Sequence, residues 1–172
     1  RPENKEQAAA REACRVFAEG FPASDRGLLL AGPVGTGKTH LAAGILRSLA
    51  DRGLFGLFVD LNELYRALQG TYRPGTPQGE LDILAPVLDA PVVVLDDLGQ
   101  RYDSDWMQDV LGYIVNGRYI RGRQIVATSN LVDTPAAGVP ALEDRIGSRT
   151  RSRIAEMCVT FVVPGRDYRR GT

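Results

Sequence analysis

The sequence predicts an α/β domain of three layers: a five-stranded, mainly parallel sheet with helices on both faces. Three observations lead there. Short apolar runs, Leu28–Ala31 and Val92–Leu95 above all, have no polar face, as strands buried on both sides require. Amphipathic stretches of helical spacing separate the runs, and such alternation is the mark of a parallel sheet. The chain has 172 residues, the size of one domain with its own core.

Each element has its own reason. Glu3–Gly20 has helical spacing, with Ala9, Cys14, Phe17 and Ala18 on one side. Pro22 and Asp25 mark a turn before the first strand, Leu28–Ala31. An amphipathic helix over Lys38–Asp51 precedes a second strand, Leu54–Asp60, and a helix over Leu61–Leu68. Two prolines and three glycines make Gly70–Gly79 a loop, and Glu80–Leu88 reads as a helix. Pro91–Asp96 is a third strand. Asp103–Ile120 is a helix with Trp106, Val110, Tyr113 and Ile114 as its core stripe. A fourth strand, Gln124–Thr128, an arginine-rich helix over Leu142–Met157 and a fifth strand, Val159–Val163, complete the order. Residues 1–26 are then a leading helix and its connection, and 27–172 the core of one domain. The chain does not open with Met, so a preceding segment is expected.

Composition narrows the function. Lys+Arg and Asp+Glu both number 21, which excludes a strongly basic nucleic-acid coat but not a local basic patch. Hydrophobic residues at 44% and charged residues at 24% exclude intrinsic disorder. No apolar run approaches the ~20 residues of a membrane span, and the polar start is no signal peptide. Cys14 and Cys158 are expected as reduced thiols packed as small hydrophobes, in keeping with a cytoplasmic setting.

Gly32-Pro33-Val34-Gly35-Thr36-Gly37-Lys38-Thr39 matches G-x-x-x-x-G-K-[ST] between a strand and a helix. Polyphosphate needs several backbone N–H groups pointing inward, which Gly35 and Gly37 permit. The following helix adds its positive N-terminal end. Lys38 supplies a point charge for the β- and γ-phosphates, and Thr39 a hydroxyl for Mg²⁺. His40 follows in the first helical turn, at the edge of the nucleotide-contacting segment, where its chemistry suits packing or capping. Val92–Asp97 ends a buried strand in two acids, which places carboxylates at the sheet edge where α/β ligands bind. Asp96 would hold Mg²⁺ through water, and Asp97 would orient the attacking water. Ile125–Asn130 is another strand ending in polar groups, and Asn130 would reach the γ-phosphate or the water. Arg145, Arg149, Arg151 and Arg153 crowd one segment with only Glu143 and Asp144 to balance them. One of them is expected to meet charge that builds up on the γ-phosphate. A P-loop kinase for a small metabolite and a non-hydrolysing nucleotide switch are the rivals from other classes. Steady monomeric phosphotransfer would favour the first, and slow turnover with tight ATP binding the second.

GPVGTGKTHLA, VVVLDDLG, IVATSN, IGSRTRSRI and GRDYRR resemble the AAA+ ATPases of the DnaC helicase-loader and IstB transposition-helper branch, over about Gln7–Arg170. The resemblance implies ATP and Mg²⁺ as cofactors, with Gly32–Thr39 as Walker A, Asp96 and Asp97 as Walker B, and Asn130 as sensor 1. It also implies Arg153 as a finger reaching a neighbouring subunit, Arg149 at another family arginine, and Arg169 at the sensor 2 position. Asp97 departs from the Glu common in AAA+ proteins. On this resemblance, a full helical lid is not expected within these residues, and the N-terminal segment with which loaders grip the replicative helicase is expected to be missing from them. Leu61–Arg73 is similar to the helix and turn that such proteins use on single-stranded DNA, with Arg66, Tyr72 and Arg73 as contacts. The implied partners are a replicative helicase, single-stranded DNA and further copies of the chain packed head to tail; a transposase is the alternative.

Overall fold

A computed structural model describes residues 4–73, 75, 77, 79–100 and 104–168. The elements run α1 (Lys5–Gly20), β1 (Gly27–Ala31), α2 (Lys38–Asp51), β2 (Leu57–Asp60), α3 (Leu61–Thr71) and α4 (Glu80–Asp89). They continue with β3 (Val92–Asp96), α5 (Asp105–Ile120), β4 (Gln124–Ser129), α6 (Leu142–Ile146), α7 (Ser148–Met157) and β5 (Cys158–Val162). The five strands form one sheet in the order β2-β3-β4-β1-β5, and every pairing is parallel. Among the described residues no helix is long and apolar enough to cross a membrane.

Side-chain alternation along the strands divides the core in two. Leu28, Leu30, Val92, Val94 and Val126 face one side and pack with Ala10, Cys14, Phe17, Ala42, Ile45 and Leu49 of α1 and α2. Leu29, Val93, Leu95, Ile125 and Ala127 face the other and pack with residues of α3 to α7. The expected three layers are therefore present. Cys14 and Cys158 are free thiols buried in opposite cores. Burial pushes both thiols up to about 12, so they stay protonated.

Several local expectations are corrected. The buried stripe of α1 is Gln7, Ala10, Cys14, Phe17 and Ala18; Ala9 faces outward. On α5, Tyr113 is exposed, and Val110, Leu111, Ile114 and Val115 make the stripe with Trp106 packed at its margin. The second strand begins at Leu57 because Gly53, at φ +72°, ends α2 and lets the Leu54 N–H close back on Leu49 O. The arginine-rich helix is two helices. Gly147, at φ +79°, leaves the helical region and separates α6 from α7.

Three arginines tie the ends of helices. Arg52 donates to Ala18 O and Phe21 O at the end of α1, and Arg26 to Ala155 O and Cys158 O at the end of α7. Arg118 is fully buried and donates to Val87 O at 2.6 Å, Leu88 O at 3.4 Å and Gln124 O at 2.6 Å. It thereby caps α4 and joins it to the start of β4, with its cation on the negative end of the helix. Burial lowers its guanidinium to about 10, so it remains charged at neutral pH. Arg118→Leu is expected to cost about 2–4 kcal/mol, since hydrogen bonds to charged groups contribute roughly 1.5–3 kcal/mol each. Urea denaturation checks this; a loss under about 0.5 kcal/mol would mean the carbonyls do not need the cation.

Candidate nucleotide site

The sheet order makes the site. The Gly32–Thr39 loop leaves β1, the two acids end β3, and β4 lies between these strands. All three strands run the same way, so their carboxyl ends bring the loop, Asp96–Asp97 and Thr128–Asn130 to one edge.

The loop has the backbone its sequence predicts. Gly35 and Gly37 stand at φ +79° and +90°, and Gly37 is the N-cap of α2. The N–H groups of the first helical turn, which lack partners within a helix, thus lie at the end of the loop. Gly35 has a second reason to lack a side chain: a Cβ there would overlap the Asp167 carboxylate. Lys38 is buried, and its ammonium donates to Gly32 O at 2.8 Å and Pro33 O at 2.6 Å, which aims it across the loop. Thr36 Oγ1 donates to Pro33 O at 3.0 Å and braces the loop from within. Pro33, Val34 and His40 are exposed on its rim.

Asp96 is buried, and its Oδ1 accepts from Thr39 Oγ1 at 3.0 Å and from Thr128 Oγ1 at 2.6 Å. Thr39 and Asp96, both expected at the metal, are therefore in contact. Oxygen donors suit Mg²⁺, which keeps several waters and is held by one or two protein oxygens plus substrate phosphates. No cluster of three His, Cys, Asp or Glu residues that could hold a metal alone occurs among the described residues. The donor set fits an ion that arrives with nucleotide, which would offset phosphate charge. Asp97 sits beside it, with its Oδ1 accepting from Asn130 Nδ2 at 3.4 Å. Asp97 and Asn130, each expected from the sequence near the attacking water, therefore lie side by side.

A cavity of about 830 Å³ opens from the loop between α1 and α2, lined by Gln7, Cys14, Thr36, Gly37, His40 and Tyr168 among others. Its size and mixed lining suit a nucleoside. His40, read from the sequence as a packing or capping residue, lines this cavity. Gln7 Nε2 donates to Pro164 O at 2.7 Å, and Tyr168 OH donates to Gln7 Oε1 at 3.0 Å. The Tyr168 N–H donates to Gly35 O at 3.0 Å, so the segment after β5 is strapped to the phosphate loop. Sequence reasoning missed Gln7, Asp167, Tyr168 and Thr128. The Gly165–Tyr168 run was visible as a motif, but its role needed the β1–β5 pairing. Arg169 lies outside the described residues.

The arginines separate. Arg151 pairs with Asp133 and holds that carboxyl below its usual range. Arg153 lies 3.9 Å from the centroid of the Tyr119 ring and 3.2 Å from Glu156, and Tyr119 OH donates to Glu156 at 2.6 Å. Arg145 and Arg149 make no ion pair among the described residues, and Arg149 is exposed. Arg149 and Arg153 line a polar hollow of about 740 Å³ between α5 and α7. Arg66, Tyr72 and Arg73 are exposed on and just after α3. Tyr72 packs edge-on to Trp106, with centroids 6.3 Å apart, and its hydroxyl meets Glu80 and Trp106.

Known proteins resemble this chain in sequence and in fold. A family model described as IstB-like ATP binding protein matches residues 5–145. The replicative helicase loader DnaC of Escherichia coli K12 is 29% identical over 119 residues, 69% of this chain and 48% of its own length. DnaI, the loader of Bacillus subtilis, is 32% identical over 94 residues, 54% of this chain and 29% of its own. A protein of a Mycobacterium tuberculosis insertion sequence, named as ATP-binding, is 30% identical over 104 residues, 60% of this chain and 40% of its own. The chain thus spans about half or less of the curated relatives it matches. The crystal structure of the DnaC helicase loader superposes with a TM-score of 0.80 at 33% identity, covering 95% of this chain and 93% of that one. That of DnaI gives 0.76 at 27%, covering 96% and 85%. The chain belongs to the IstB-like ATP-binding protein family and has the AAA+ fold of the DnaC and DnaI loaders.

Proposed function

We propose that this chain is the ATP-hydrolysing domain of a DNA-replication helicase loader, binding Mg-ATP and single-stranded DNA and helping to place a hexameric helicase. The observation that carries the catalytic part is the Thr39–Asp96 hydrogen bond, which joins the phosphate loop to the acid at the end of β3. The likeness to the DnaC crystal structure, over nearly the whole of that chain and of this one, supports the biological part. A transposition helper is the second reading, favoured by the family description and the insertion-sequence relative. Co-elution with a hexameric replicative helicase in ATP supports the first; co-elution with a transposase alone supports the second.

In this reading Lys38 leaves its loop carbonyls for the β- and γ-phosphates, Thr39 and Asp96 hold Mg²⁺, and Asp97 with Asn130 orients the attacking water. Lys38→Ala should lose most Mg-ATP affinity, and Asp96→Asn should instead weaken the magnesium requirement. Titration with a fluorescent nucleotide checks both. Equal affinity in wild type and Lys38→Ala would contradict the site.

Hydrolysis is proposed to need a second copy packed head to tail, with α7 supplying a cation to the neighbour's γ-phosphate. Arg153 is the residue expected from the sequence. Its contacts with Tyr119 and Glu156 are partly exposed, so releasing them costs little. Arg149 needs no such release. Arg153→Ala should bind ATP nearly normally and hydrolyse it roughly 10³–10⁵-fold more slowly, because the interaction forms only in the transition state. Asp97→Asn should fail in cis. Mixing the two at high concentration should restore turnover, since one subunit's Asp97 then meets the other's Arg153. A mixture that stays inactive where wild type assembles and turns over would move the role to Arg149.

For DNA, Arg66→Ala with Arg73→Ala should lower single-strand binding in ATP and flatten its salt dependence. Among the described residues, neither arginine is a hydrogen-bond partner of Thr39, Asp96 or Asn130, so ATPase without DNA should change little. Undiminished binding with the same salt slope would leave this helix and turn a structural role only.

A further inference from the structure

We propose that Thr128 is a positioning residue that fixes both acids of the site as one unit. This rests on the reading of the site as an ATPase centre. Thr128 is the fifth residue of β4 and is fully buried. It shares a strand face with Val126, and its neighbour across the ladder is Leu30, both in the apolar core against α1 and α2. Valine would fill that place as well, so packing alone does not call for a hydroxyl.

The hydroxyl is fully committed. It donates to Asp96 Oδ1 at 2.6 Å and accepts from the Asp97 N–H at 3.0 Å. The main chain of the same residue accepts from the Leu98 N–H at 2.8 Å. One residue of β4 therefore holds three consecutive residues, the last of β3 and the two that follow it. The first bond, with that from Thr39, sets the direction of the Asp96 carboxylate. The second acts on an unusual backbone: Asp97 stands at φ +62°, the one non-glycine residue at positive φ among the described residues. A left-handed aspartate persists where its surroundings over-determine it, and here the Thr128 hydroxyl and the Leu98 N–H bond brace the turn on either side. That turn aims the Asp97 carboxylate toward Asn130. Thr128 thus links the metal side and the water side of the site without touching either ligand.

The test compares Thr128→Val, which keeps the shape and loses the hydroxyl, with Thr128→Ser, which keeps the hydroxyl and loses the methyl. Fluorescent-nucleotide affinity is measured in EDTA and in Mg²⁺, with turnover on the same samples. Groups that orient metal ligands are worth roughly 10–100-fold, so Val should lose about tenfold of the magnesium-dependent gain in affinity and about 30-fold in kcat. Affinity in EDTA should stay within about threefold, because the phosphate loop is untouched, while KM for Mg-ATP should rise with the lost magnesium gain. Ser should recover most of both losses. A Val variant with full magnesium gain and kcat, or a Ser variant as impaired as Val, would overturn the proposal. If Val does not fold, Thr128→Ala takes its place; if neither folds, the hydroxyl is a folding requirement and the positioning role is overturned. Wild type that binds Mg-ATP but does not turn over would defeat the ATPase reading, and the magnesium gain would still test Thr128.

Discussion

A single carboxylate oxygen, Asp96 Oδ1, receives hydrogen bonds from two directions. Thr39 reaches it from the phosphate loop and Thr128 from β4. Because Asp96 is buried, these hydrogen bonds matter to the fold, for a buried polar group without partners would be costly. The junction can form only if β4 lies between β1 and β3 and all three strands run the same way. The sheet order is therefore the constraint behind the chemistry. The two apolar layers that sandwich the sheet hold the strands at the register that brings these oxygens together.

Arginine has two unrelated uses in this molecule. Arg26, Arg52 and Arg118 spend their guanidinium groups on main-chain carbonyls at helix ends, where a forked donor can satisfy two or three acceptors at once. Arg151 is taken by Asp133, and Arg153 rests on Tyr119. The crowd of arginines around α7 is thus less uniform than its spacing suggests. Arg149 differs from the rest by being exposed at the start of that helix, beside the polar hollow.

The phosphate loop, Asp96 and the helix–strand alternation were legible in the sequence because each has a local cause. Glycine spacing, a strand with no polar face and helical periodicity all act over a few residues. Thr128 was read only as part of a strand, because its hydroxyl acquires meaning from Asp96, which lies 32 positions earlier in the chain. Gln7 and Tyr168 escaped notice for the same reason: they meet across 161 positions, where β5 and α1 converge on the loop. The break at Gly147 was hidden by the helical spacing on both sides of it, although glycine was the available signal. Asp97, a departure from the Glu of most AAA+ relatives, gains a physical setting. Its left-handed backbone is a conformation that Asp tolerates better than most side chains.

The central claim is that the loop and the two acids form one metal-assisted nucleotide site. Calorimetric titration of the chain with a slowly hydrolysed ATP analogue, in Mg²⁺ and again in EDTA, tests it most directly. The account predicts one saturable site whose affinity rises about tenfold or more when Mg²⁺ is present, since Thr39 and Asp96 would hold the ion and it would offset phosphate charge. Binding that is equally tight in EDTA, or no binding at all, would contradict it.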